Sequence, residues 1–304
     1  MGSDSLYHPI MQTLDWSIPG ADGEIILGNT HVPSHDAPPR GALIIAHGFR
    51  GYKDYGILPG IAHYAAMHGF VALRFNFSHS GMTNRLETFE RKDLFEKDTW
   101  GKQVADLRAV AAATEKGDVA GLEAARGLAQ IWYGHSRGGV TVLLTAARAF
   151  APQHYPRIGS IVKPAGVVPC AAPHRAMFMS EDDRRLLREQ GYLDIQSFRT
   201  KEDLRVGAGW LKEIEQQPDA FDPVLAAKRV TCPMHIIHGD ADQTVKVEAA
   251  EAIAAAAPHS TLSIIEGGTH VFNTSNPMNL DREPSVQGQA LINEVLAFCT
   301  KVTS

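Results

Sequence analysis

Short apolar runs alternate along this chain with longer stretches whose apolar residues recur at helical spacing. Segments 23–32 and 41–46 read as strands, and the second is nearly continuous in apolar residues, as a central strand of a parallel sheet is. Segment 57–68 reads as a helix stopped by Gly69, and 70–77 as a strand. Segment 99–116 reads as a long helix with Val104, Leu107 and Val110 on one face and Gly117 past its end. An apolar stretch at 128–132 leads through a tight turn into a helix at 140–150. Strands follow at 164–172, 234–238 and 261–265, with an alanine-rich helix at 245–257, ended by Pro258, and a closing helix at 287–302. Strands alternating with helices predict an α/β fold, a mostly parallel sheet covered on both faces. In such sheets ligands bind at the carboxyl ends of the strands, so the chemistry belongs in the loops that follow them.

Two segments break the alternation. Residues 78–98 form a polar loop rich in Glu, Arg and Lys. Residues 173–229 stand between two strands and carry Met177, Phe178, Met179, Tyr192, Phe198 and Trp210 among many charges. Helical stretches around 182–190 and 201–216 are too short and polar for an independent domain. The prediction is a single domain spanning 1–304, with 173–229 as a small cap over the crevice.

Composition narrows the function. Of 304 residues, 44% are apolar, enough for a sizeable core. The net charge of −5, with no basic run and no basic-aromatic interleaving, excludes a nucleic-acid partner. The three cysteines, Cys170, Cys232 and Cys299, are too far apart for a disulfide framework or zinc site and fit a reducing compartment. Met1-Gly2-Ser3-Asp4-Ser5 has neither the basic nor the apolar region of a signal peptide, and no apolar run is long enough to span a bilayer. A cytoplasmic location is expected. No motif calls for a metal or cofactor: there is no His-Glu-x-x-His, no Gly-x-Gly-x-x-Gly after a strand, and no lysine of a phosphate-binding loop in 134–139.

The chemistry centres on Gly134-His135-Ser136-Arg137-Gly138. A Gly-x-Ser-x-Gly string arises by chance in about one chain in ten of this length, but here it lies between a strand and a helix. That setting puts Ser136 on a sharp bend with its hydroxyl above the sheet, and any side chain at Gly134 or Gly138 would collide with a neighbouring element. A serine nucleophile needs a base, and the base needs an acid to hold its tautomer. Among 14 histidines, His270 alone follows the last strand across a glycine pair, in Glu266-Gly267-Gly268-Thr269-His270. His47, His135 and His238 adjoin glycines at strand ends and fit roles in shaping turns. His79 and His174 lie in loops that border the crevice. The acid is Asp240 or Asp242, past the strand at 234–238, with Glu266 a third candidate on the same loop as the base. The oxyanion needs two backbone donors: the N–H of Arg137, after the nucleophile, and that of Phe49 in the turn His47-Gly48-Phe49-Arg50-Gly51.

These four segments in this order resemble the α/β-hydrolase superfamily over essentially the whole chain. His238-Gly239-Asp240-Ala241-Asp242 is similar to the family's His-Gly-x-x-Asp motif, in which the last Asp is catalytic, and the resemblance therefore implies Asp242 as the acid. Within the superfamily the pattern resembles bacterial cinnamoyl (feruloyl) esterases and dienelactone-hydrolase-like proteins. It does so through His-Gly-Phe at 47–49, Leu73-Arg74-Phe75-Asn76-Phe77 after the next strand, and a cap of about this length at the same point of the chain. Dienelactone hydrolases use a cysteine nucleophile where this chain has Ser136. The resemblance implies a serine hydrolase that cleaves small carboxylic esters through an acyl-enzyme, with no cofactor. The alternatives are a hydroxycinnamate-specific esterase, a peptidase, amidase or acyltransferase on the same fold, and a non-catalytic binding protein on a hydrolase scaffold.

Overall fold

The computed structural model describes residues 12–34, 37–155 and 159–304; the opening Met1–Ser5 lies outside them. The strands are β1 (Gln12–Pro19), β2 (Ile25–Val32), β3 (Gly41–Ala46), β4 (Phe70–Asn76), β5 (Gln130–His135), β6 (Gly166–Cys170), β7 (Tyr192–Gln196), β8 (Asp203–Gly207), β9 (Met234–Gly239) and β10 (Ser260–Ile265). The helices are α1 (Leu58–Met67), α2 (Lys92–Glu96), α3 (Trp100–Lys116), α4 (Arg137–Phe150), α5 (Glu181–Gln190), α6 (Gly209–Gln216), α7 (Pro223–Arg229), α8 (Glu248–Ala256) and α9 (Val286–Thr303). Eight strands form one sheet in the order β1-β2-β4-β3-β5-β6-β9-β10. Within this sheet β2 pairs antiparallel with β1 and β4, and the other pairings are parallel.

The expected central strand is central. All six residues of β3 are buried, and they alternate between two cores. Ala42, Ile44 and Ala46 join the cluster under α3, α4, α7 and α8, while Leu43 and Ile45 join the one under α1 and α9. A strand covered on both faces has no polar side, which is why its sequence shows no alternation.

Register positions the site. Ala46 pairs with Gly134, His135 with Cys170, Cys170 with Ile237, and Gly239 with Ile265. The carboxyl ends of five parallel strands therefore finish level, and the loops beginning at His47, Ser136, Ala171, Asp240 and Glu266 meet along one edge.

Several elements differ from expectation. The strand expected at 23–32 begins at Ile25, because Ala21–Gly23 is a short 3-10 turn. β1 was not anticipated; Asp15 and Ser17 interrupt its apolar positions, but Trp16 and Ile18 alternate into the core. The helix expected over 201–216 divides into strand β8 and helix α6. Leu204 and Val206 are buried while Asp203 and Arg205 are exposed, a period of two that pairs β8 antiparallel with β7. The polar segment 78–98 carries α2 and buries Met82, Phe89 and Phe95 against Leu204, Val206 and Tyr52. The insertion after β6 shares the main core through Leu187, Trp210, Leu211 and Ile214, and its last helix, α7, buries Ala226 and Ala227 there.

Candidate active site

Ser136 joins β5 to α4 with φ 55° and ψ −120°, a conformation non-glycine residues adopt only where surrounding structure imposes it. The close approach explains the flanking glycines. A Cβ at Gly134 would lie 2.1 Å from the Gly138 carbonyl oxygen, and one at Gly138 would lie 2.4 Å from that of Ala46. The bend is tied down by the Ser136 N–H, which donates to the Cys170 carbonyl at 2.8 Å. Ser136 is half-buried.

The structure brings Asp242 and His270 to this serine. His270 Nε2 lies 3.0 Å from Ser136 Oγ, and His270 Nδ1 lies 2.7 Å from Asp242 Oδ2. Asp242 has no exposed side-chain surface. Its Oδ1 accepts from the Thr244 and Val245 N–H groups at 2.8 and 2.9 Å. Burial by itself would raise its pKa. Hydrogen bonds from His238, His270 and Val245 outweigh burial and hold the carboxyl well below the usual carboxylate range. A carboxylate at Asp242 can accept a proton held on His270 Nδ1, an arrangement in which Nε2 can accept from the Ser136 hydroxyl. Asp240, the other candidate acid, is exposed and accepts from the Gly267 N–H at 2.7 Å, pinning the loop that carries His270. Glu266 is exposed as well.

Phe49 follows Gly48 in the turn after β3, and Arg137 follows Ser136. Arg137 opens α4, where the first N–H groups have no intrahelical partner and the helix dipole favours negative charge. A Cβ at Gly48 would come within 3.1 Å of Ser136 Cβ, so the turn carrying Phe49 packs directly on the bend at Ser136. His47 fixes that turn. Its Nδ1 donates to the Gly48 carbonyl at 2.8 Å and its Nε2 accepts from the Phe77 N–H at 3.2 Å, while burial lowers its pKa to about 4, so the ring is neutral.

The remaining histidines and Cys170 fall into place. His135 Nε2 donates to the His270 carbonyl at 2.7 Å, and burial lowers its pKa to about 3. His238 Nε2 lies 2.8 Å from the Val245 carbonyl and 3.4 Å from Asp242 Oδ2. His79 is buried against Ser78, 2.9 Å from its Oγ, so it packs inside the fold and does not line the crevice. His174 is half-buried in the loop after β6. Cys170 is buried beneath the site, and burial pushes its thiol up to about 12.

Sequence reasoning missed three features. The Arg137 side chain turns inward to an ion pair with Asp98. Phe178 of the insertion lies 6.1 Å from Phe49 and 5.1 Å from Trp210, ring centre to ring centre. Arg50 donates to the Gln196 carbonyl of β7 at 3.0 Å. The aromatic content of the insertion was the one available signal; the pairing of Asp98 with Arg137 had none. Among the described residues no cluster of metal-ligating side chains occurs and no helix is long and apolar enough to cross a membrane.

A parallel sheet with this strand order, a helix-capped bend at the end of β5 and an acid and a histidine after β9 and β10 define an α/β hydrolase. The chain belongs to the alpha/beta hydrolase family, whose profile matches residues 43–280, and it is a hydrolase. Among solved structures it is similar to Est1E from Butyrivibrio proteoclasticus, at 17% identity with a TM-score of 0.65 over 94% of this chain and 98% of that one. It is also similar to the esterase domain of a Rhodothermus marinus protein, at 18% identity and a TM-score of 0.61 over 97% and 99% of the two chains. A dienelactone hydrolase from Anabaena variabilis matches at 16% identity with a TM-score of 0.60, over 96% and 98%. No curated protein matches the sequence.

Proposed function

We propose that the protein is a serine hydrolase that cleaves carboxylic esters through an acyl-enzyme on Ser136. The observation that carries this reading is the pair of contacts made by His270, 3.0 Å to Ser136 Oγ and 2.7 Å to Asp242 Oδ2. His270 takes the Ser136 proton as Oγ attacks the carbonyl, then gives it to the leaving alcohol. Asp242 stabilises the imidazolium that forms between these steps. The Phe49 and Arg137 N–H groups bind the oxyanion. Water, deprotonated by the same imidazole, releases the acid. The insertion between β6 and β9 serves as the cap.

A narrower reading is an ester with an aromatic acyl group. Phe178, 47% exposed beside the Phe49 ring, supports it. So does the fold-level likeness to Est1E, one structure of which holds ferulic acid. The test is initial rates on short aliphatic esters and on methyl hydroxycinnamates, with Ser136→Ala as the blank. Turnover of either class that vanishes in the blank is the expected result. Turnover that survives it removes Ser136 from the mechanism. A kcat/KM preference for the hydroxycinnamates selects the narrower reading.

A further inference from the structure

The side chain of Arg137 is unexplained by the chemistry above, which uses only its backbone. Its Nη1 lies 3.0 Å from Asp98 Oδ2, and the two side chains are 5% and 8% exposed. The guanidinium carbon is 4.8 Å from the centre of the Trp100 ring and 5.5 Å from that of Phe49. Arg137 Nε and Nη2 and Asp98 Oδ1 make no hydrogen bond, and the guanidinium lies against aromatic rings. An ion pair buried with polar atoms unsatisfied is a poor stabilising device, since apolar residues of similar volume fill such a space as well or better.

Its location supplies a reason for it. The two proposed oxyanion donors lie far apart in the chain and on different elements, yet their side chains touch: the Arg137 cation rests on the Phe49 ring. The pair is also anchored behind. Asp98 Oδ2 accepts from Gln103 Nε2 at 2.9 Å. Thr141 Oγ lies 2.7 Å from Gln103 Oε1 and 3.1 Å from the Arg137 carbonyl, and its one proton goes to one of the two. The contacts thus run from the Arg137 side chain through Asp98 and Gln103 to Thr141, one turn further along the helix that Arg137 opens. A cavity of about 10 Å³ is lined by Phe49, Asp98 and Gln103, roughly what one water needs.

We propose that Arg137 and Asp98 act as positioning residues for the oxyanion site, holding the Phe49 turn and the start of α4 at a fixed separation without touching substrate. This rests on the serine-hydrolase reading. A flat, charged guanidinium bonded to Asp98 and set over two aromatic rings sets distance and orientation together, which a lysine or an aliphatic chain does not.

The test compares the wild type with Arg137→Lys and with the double variant Arg137→Met/Asp98→Asn. The readouts are the melting temperature, kcat and KM on a short ester, and the affinity of an alkyl boronic acid, whose tetrahedral adduct on Ser136 places an oxygen where the oxyanion forms. In the double variant kcat is expected to fall about 10- to 100-fold with KM within about threefold, and boronate affinity to fall with kcat. A purely structural role would move the melting temperature and leave the ratio of boronate affinity to KM alone. A folded double variant whose kcat and boronate affinity stay within about twofold of wild type overturns the proposal. If the double variant does not fold, Arg137→Lys decides alone, since it keeps the charge against Asp98 and loses the stack on Phe49. About a tenfold loss of kcat is then expected, and an unchanged value overturns the proposal. A wild type that neither hydrolyses esters nor binds the boronate sinks the serine-hydrolase reading itself, and this inference with it.

Discussion

Replacing Asp242 with asparagine changes one atom in the structure and should remove most of the activity. Asp242 Oδ1 accepts from two backbone donors, the Thr244 and Val245 N–H groups. An asparagine here must keep its carbonyl oxygen at that position, because turning the amide would set its NH₂ against both donors. Its NH₂ then faces His270 Nδ1, which sits 2.7 Å from Oδ2 in the wild type. That nitrogen is forced to accept, so the imidazole proton moves to Nε2 and points at Ser136 Oγ. The base is lost while every heavy atom stays in place. Holding a triad histidine in this wrong tautomer costs about 10⁴ in kcat, or about 5.4 kcal/mol of barrier. The assay is initial hydrolysis of a p-nitrophenyl ester by Asp242→Asn, with circular dichroism and a melting curve to show that the fold is kept. A folded variant retaining more than about a tenth of wild-type kcat would refute the tautomer argument.

Asp240 provides the contrast. Asp240→Ala removes only the bond to the Gly267 N–H, so kcat should fall less than about tenfold and stability by about 1 kcal/mol, checked by the same assay and by urea unfolding. Gly134→Ala puts a Cβ 2.1 Å from the Gly138 carbonyl oxygen and should destabilise the chain by about 3 kcal/mol or more, visible as a lower melting temperature. Burial raises the pKa of Asp106 to about 7 from 3.8, despite hydrogen bonds from the Ala21 and Ser78 N–H groups. Between those two values the folded chain holds a proton that the unfolded chain has released. Stability should therefore fall as pH rises from about 4 to about 7 and level off above. In Asp106→Asn this component is absent, so parallel melting-temperature profiles for variant and wild type would contradict the raised pKa.

The parts legible in the sequence were those in which one residue's neighbours along the chain determine its environment. The bend at Ser136 shows in its flanking glycines because the constraint there is steric and local. The strand–helix alternation shows because each element buries a face of definite period, and the level carboxyl ends of β3, β5, β6, β9 and β10 follow from parallel pairing. β8 was read as helix because Asp203 and Arg205 masked a two-residue alternation of only two buried positions, Leu204 and Val206. Composition and spacing leave Asp240 and Asp242 open, and only the resemblance to the His-Gly-x-x-Asp motif singles out Asp242; the two backbone N–H groups on its Oδ1 and its distance to His270 leave no mark on composition. The pairing of Asp98 with Arg137 joins charges 39 positions apart in the chain, and nothing local distinguishes Asp98 from an ordinary polar residue before the helix cap at Thr99.

At the centre of the proposed chemistry is Ser136, a nucleophile activated by His270. The most direct measurement is the mass of the intact protein and of its peptides after reaction with a fluorophosphonate, which forms a stable bond to an activated serine hydroxyl. The expected result is a single adduct on Ser136, none in Ser136→Ala, and a rate reduced at least about 10³-fold in His270→Ala. An unmodified wild-type protein, or an adduct at any other residue, would contradict it.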